Sequence, residues 1–188
     1  MQTRHLALLT ILSALCVGIQ LAPRPPNVEF TSLLVFLIGA FFGVYSGSLL
    51  GGVVMFVNGF LSSWGFAGFM MPFQIAGMTL VGFGGGWYGK SKKAEYRSSS
   101  SVETAVLGAL LTLIYDLITN FGVAAEHMLV GIPVFPAIVV ALVSGAPFSL
   151  VHVVSNFFVF LAGFFPLTRV LQKFVGGENI WKKDFLRM

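Results

Sequence analysis

Charge is what this chain lacks most. Of its 188 residues only 10% are Asp, Glu, Lys or Arg, against about a quarter in soluble globular domains. None of these, and no His, occurs from residue 30 to residue 89, a stretch long enough for about three membrane helices at roughly 20 residues per crossing. The single cysteine, Cys16, lies in an apolar run; it excludes an intrachain disulfide and leaves cysteine usage silent on redox compartment. His5, His127 and His152 are scattered without ligand spacing, so neither a metal site nor another cofactor is expected. The net charge of +4 does not imply nucleic acid, because the basic residues stand at the ends of apolar spans, where topology explains them.

What is abundant agrees with that picture. The chain is 56% hydrophobic, with 20 Phe and 22 Gly, and its mean hydropathy is +0.90. It reads as one all-α integral membrane domain, residues 1–188, with no internal repeat. Apolar runs between breakers predict six transmembrane helices at 6–21, 29–43, 47–61, 69–88, 102–123 and 148–171. The second and third have no charged residue between them and are expected to form a tight hairpin. A seventh run, 132–146, carries Pro133 and Pro136 and ends at Pro147; at that length it is expected as a short re-entrant or interfacial element before the last helix. Six crossings place every Lys and Arg except Arg24 on one side, as the positive-inside bias requires, with both termini cytoplasmic. The run 6–21 also has some features of a signal peptide but lacks a small-residue cleavage pattern.

Polar side chains at lipid depth are costly, and each needs a partner or a task. In the six-helix topology Asn27, Glu29, Asn58, Gln74, Asp116, Asn120, His152 and Asn156 all fall in the outer half, whereas the inner halves hold hydroxyls and glycines. Asp116 and Asn120 share one helix face at i and i+4, as do His152 and Asn156. The asymmetry predicts a polar cavity open outward over a sealed base, with Asp116 its strongest candidate and Trp64 and Phe73 nearby as anchor or wall. Amides, a carboxylate and an imidazole suit a solute with many hydrogen-bonding groups. The competing reading is that these groups pair only with one another as interhelical glue; Gln74 in particular could serve the backbone near Pro72. Small residues recur at Thr10, Ala14 and Gly18, and again at Gly39, Gly43, Gly47 and Gly51. Close packing within the chain is their default use, and docking to a separate membrane subunit the other.

Two motifs imitate catalytic sites. Gly84 to Ser91 fits the phosphate-loop spacing but follows a membrane helix rather than a buried strand. Ser149 with His152, Asp116 and Asn156 suggests an intramembrane hydrolase, yet Ser149 stands three residues from its base on the same helix, a poorly directed arrangement. The expectation is a protein that is not an enzyme.

The stretch Arg24-Pro25-Pro26-Asn27-Val28-Glu29-Phe30, the element Tyr115-Asp116-x-x-Thr119-Asn120 and the element His152-x-x-Ser155-Asn156, carried on six short helices, resemble the substrate-binding S components of energy-coupling factor (ECF) vitamin importers. The resemblance spans nearly the whole chain through loose motifs. It implies a multi-pass protein of the cytoplasmic membrane that captures a vitamin or related micronutrient, a corrinoid of the cobalamin type being the first expectation. It further implies docking on a transmembrane coupling subunit driven by two separate ATPases, with Thr10, Ala14 and Gly18 at the positions of the family's Ala-x-x-x-Ala docking signature. The segment 22–28 matches the family's first loop, which closes over bound substrate.

Overall fold

A computed structural model of the chain describes residues 3–62, 65–92, 96 and 100–175. Among them the fold is all-helical, with six helices: α1 (Thr3–Leu21), α2 (Thr31–Phe42), α3 (Val44–Leu61), α4 (Met71–Lys92, preceded by a 3-10 turn at Gly68–Met70), α5 (Ser100–Leu129) and α6 (Val134–Val175). Three of them, α3, α5 and α6, are long and apolar enough to cross a membrane. Their outward faces carry large apolar side chains such as Phe56, Phe60, Leu110, Leu117, Phe158 and Val170, a surface that lipid rather than water accommodates. Trp64, Lys93, Arg97, Lys182, Lys183 and Arg187 lie outside the described residues.

The expected hairpin is tighter than the spacing suggested. Only Gly43 separates α2 from α3, at φ 101 and ψ 165, a backbone region open essentially to glycine alone. The glycines of this region draw three backbones together. A Cβ at Gly39 would lie 2.7 Å from the Gly86 nitrogen, one at Gly47 would overlap Gly39, and one at Gly51 would overlap the Met78 carbonyl. Gly82, Gly85 and Gly89 of α4 likewise press on Gly47, Phe36 and Ala40. These glycines serve packing within the chain, as close-approach surfaces do in membrane helices. Beneath them Phe36, Phe160, Phe164, Tyr88 and Tyr96 form a buried aromatic cluster, and the Tyr96 hydroxyl donates to the Ala40 carbonyl over 3.1 Å.

The separate element expected at 132–146 is corrected. It is the first third of α6, one helix of 42 residues, roughly 63 Å at the α-helical rise. Pro133 precedes the helix and Pro136 falls in its first turn, where no backbone donor is needed, so neither stops it. Pro147 lies inside it, a placement membrane helices accommodate. The break falls earlier, at Gly131 with φ 93. There Gly131 N–H donates to the Met128 carbonyl over 3.0 Å and Ile132 N–H to the His127 carbonyl over 3.1 Å, the paired bonds of a Schellman cap. Consequently α5 runs six residues past its expected end, and α5 and α6 form one long antiparallel pair. One turn apart on α5, Gly108, Thr112 and Asp116 meet Phe160, Asn156 and His152 of α6.

Candidate functional site

The site begins where a helix is missing. Phe36 lies against Gly85 and Ala40 against Gly89, which sets Thr31, the first residue of α2, beside the middle of α4 rather than its start. The α2 helix therefore spans only its 12 residues, roughly 18 Å, and irregular backbone from 22 to 30 fills the space above it. Non-helical chain at such depth persists where it is packed in protein or lines a cavity. Its shape follows from sequence: Val28 N–H donates to the Pro25 carbonyl over 3.3 Å, with Pro26 and Asn27 at the corners and Asn27 at φ 58. Proline presets the first corner of such a turn, and Asn tolerates a positive φ at the second. The Asn27 carbonyl is held in turn by the Ser155 hydroxyl over 2.9 Å.

This turn delivers Glu29 to a buried imidazole. His152 Nδ1 lies 2.8 Å from Asp116 Oδ1, and its Nε2 lies 3.4 Å from Glu29 Oε1. Ser32 donates to the same Glu29 oxygen. All three ionisable residues are at most 7% exposed. Both ring nitrogens of His152 thus face carboxylate oxygens. Buried charge of this kind is stable only when paired and hydrogen-bonded, and here loop, α5 and α6 each supply one member. Tyr115 caps the imidazole edge-on, with ring centres 5.7 Å apart.

Two cavities flank the cluster. The first, about 380 Å³, lies among the end of α1, the 22–30 segment, the end of α3 and the start of α4, with Arg24, Glu29, His152 and Asn58 in its wall. The second, about 370 Å³, lies between α5 and α6 with Asp116, Asn120, Ser144 and Ser149 in its wall. Asn27, Gln74 and Tyr115 line both. Each volume falls in the range of small-molecule sites, about 300–1,000 Å³.

The structure brings Asn27, Glu29, Asn58, Gln74, Asp116, Asn120 and His152 to these two cavities. Asn156 goes elsewhere: fully buried, it donates from Nδ2 to the Thr112 hydroxyl over 3.0 Å and lines neither cavity. The four-residue step that put it on one face with His152 also sinks it a full turn deeper, into the α5–α6 seam. Asn58 is partly engaged, because Gln20 Nε2 donates to its Oδ1 over 3.0 Å while Thr31 donates to Gln20 Oε1 over 2.6 Å. Gln20 and Arg24 are site residues that the sequence reading passed over. Their signal was an amide in the apolar α1 span one turn before a lone cation. The Gln74 side-chain oxygen is buried without a partner among the described residues, and Pro72 sits in the first turn of α4, where it frees no interior carbonyl. Phe73 packs on Gly122 of α5 instead of facing solute space.

Ser149 borders the second cavity, but both ring nitrogens of His152 face carboxylates. The phosphate-loop lookalike is helical, forming the last turns of α4, its Gly85 and Gly86 pressed on α2 and α3. Thr10, Ala14 and Gly18 lie on the exposed side of α1, and nothing stands within 4 Å of a Cβ at Gly18. Described residues hold no group of three or more His, Cys, Asp or Glu suited to a metal. What fold and site define is a helical membrane protein with polar cavities buried at one end. No family model, curated protein or solved structure matches the chain.

Proposed function

We propose that the protein is the substrate-capture subunit of an ECF-type importer, a multi-pass protein of the cell membrane that binds a small polar solute from outside. The observation that supports it most is the pair of cavities around Asn27, Gln74 and Tyr115 at one end of the bundle, over a base closed by glycine packing. Among the described residues Gln74 Oε1 and Asp116 Oδ2 have no hydrogen-bond partner, as does Asn156 Oδ1 in the seam; the first two belong to residues that line the cavities, where a solute supplies the missing donor. In this reading the chain crosses the bilayer six times, α2 together with the 22–30 segment making the second crossing, with both termini cytoplasmic and the cavities outward. The exposed Thr10, Ala14 and Gly18 stripe meets a coupling subunit that two ATPases drive. The solute is a vitamin or related micronutrient, a corrinoid of the cobalamin type being the first expectation, and its identity is one outcome of the test.

The experiment is to purify the protein and identify co-purifying small molecules by mass spectrometry, with Gln74→Ala as the control that alters cavity and not packing. A solute found in the wild type and depleted at least tenfold in the variant is expected; wild-type protein that is empty and binds no added vitamin rejects the reading. Orientation is checked with single cysteines at Ser91 and Gly131 in a Cys16→Ser background. Only the Gly131 position should react with an impermeant maleimide in intact cells.

A further inference from the structure

The two cavities differ in the chemistry they offer, and this difference specifies the solute. Resting on the capture reading above, we infer that the second cavity takes a cationic, N–H-rich end of the solute, a protonated amine or amidinium, with Asp116 as its counter-charge. Asp116 is more than nine-tenths buried; its Oδ1 faces His152, while its Oδ2 has no partner among the described residues.

The rest of the wall carries amides at Asn27, Gln74 and Asn120 and hydroxyls at Tyr115 and Ser149, which donate as well as accept, and no second full charge. The Thr119 hydroxyl donates to the Asp116 carbonyl over 3.0 Å and the Ser144 hydroxyl to the Val140 carbonyl over 2.7 Å, so each turns a lone pair and no proton to the cavity. Gln74 adds an unpartnered carbonyl oxygen. No Lys, Arg or His lines this cavity. An anion entering it would meet the Asp116 carboxylate with no cation among the lining residues, whereas an ammonium or amidinium brings that carboxylate a counter-charge and a donor for Oδ2. His152 does not cancel the field, because it is shared by two carboxylates, Asp116 and Glu29. Arg24 lines the other cavity. An elongated solute passing Asn27, Gln74 and Tyr115 would thus be sorted by charge, its cationic end beside Asp116 and any anionic or carbonyl end beside Arg24.

The test uses three isosteric probes, benzamidine, benzamide and benzoate, titrated into the purified full-length protein with thermal shift as the readout. Benzamidine should raise the melting temperature saturably, and benzamide and benzoate should bind at least tenfold more weakly. Asp116→Asn should weaken benzamidine at least tenfold. Because that change also touches the His152 cluster, Ser144→Lys provides a second variant, which adds a positive charge to the cavity and leaves the Asp116, His152 and Glu29 contacts intact; it should weaken benzamidine as much. Benzoate or benzamide binding as well as benzamidine, or benzamidine indifferent to both substitutions, overturns the inference. A co-purifying solute that is neutral or anionic would overturn it while the capture reading stands, and a protein with neither a solute nor affinity for any probe would remove both.

Discussion

The same helices close one end of the bundle and open the other. At the glycine end α2, α3 and α4 touch backbone to backbone through Gly39, Gly47, Gly82, Gly85 and Gly89, with no side chain between them. At the cavity end α2 is absent, a Pro-Asn turn replaces it, and polar side chains from α1, α3, α4, α5 and α6 turn toward the space it leaves. The glycine end resists change in shape, because any added atom meets main chain. The cavity end resists change in charge, because its buried carboxylates depend on one imidazole. The contrast makes each substitution's phenotype depend on which end it strikes.

The largest effect should come from filling the glycine end. A Cβ at Gly82 would overlap the Gly47 carbonyl, and backbone on both sides leaves no flexible side chain to yield. Overpacking generally costs about 1–3 kcal/mol and more where neighbours cannot move; Gly82→Leu should abolish the monodisperse folded peak in size-exclusion chromatography. Gly18→Leu, with open space around it, should elute as wild type. Equal behaviour of the two would erase the distinction between the packed glycines and the exposed stripe.

Next comes the charged cluster. Removing one partner of a buried ion pair costs about 3–5 kcal/mol because the other charge is stranded, so Asp116→Ala should lower the melting temperature substantially. The pairing is tested by a double-mutant cycle with His152→Phe. Residues in one network couple by about 0.5–3 kcal/mol, and the double variant should be less destabilised than the sum of the singles. Strict additivity would mean that the 2.8 Å contact carries no stabilisation.

How much of this contrast was legible beforehand differs by level. The gathering of polar residues was readable, because charge and amides are rare enough here for position alone to be informative, and Asn27, Glu29, Gln74, Asp116 and His152 do meet around the two cavities. The continuity of α6 was not. A run with prolines at both ends looks like a separate element until one sees that Pro133 and Pro136 stand where a helix start needs no donors, and the true break was written at Gly131-Ile132-Pro133. That α2 is short was readable from the run 29–43, but its start only at Thr31 was not, since helices apolar on every side give no periodicity to locate an end. Direction on a helix was the third gap. Spacing put Asn156 on the face of His152 but could not say that one points to solute space and the other into the seam with Thr112.

That gap gives a sharper comparison within the cavity end itself. Asn156 is a fully buried amide bonded across a helix seam, whereas Gln74 is a half-buried one that lines both cavities. Asn156→Ala should cost about 1–3 kcal/mol, since it removes the bond that the Thr112 hydroxyl accepts, leaving only the one it donates to the Gly108 carbonyl, and opens a small void, yet leave benzamidine affinity within twofold. Gln74→Ala should do the reverse, with stability nearly unchanged and affinity reduced. Thermal unfolding and probe titration on the two variants separate the outcomes; affinity lost in Asn156→Ala would place solute deeper than either cavity.

The smallest effect on the protein alone, and the one that reaches beyond it, concerns the outer face of α1. Ala14 is exposed and lies one turn from both Thr10 and Gly18, so a larger side chain there meets nothing inside the bundle. Ala14→Leu should therefore change stability by less than about 0.5 kcal/mol and leave probe binding intact. If that face seats a second membrane helix, however, small residues are what allow its close approach, and the added leucine should sharply reduce co-purification with a coupling subunit expressed from the same cells. Unimpaired co-purification would move the docking surface off α1, and a loss of folding would show that the stripe packs on this chain after all.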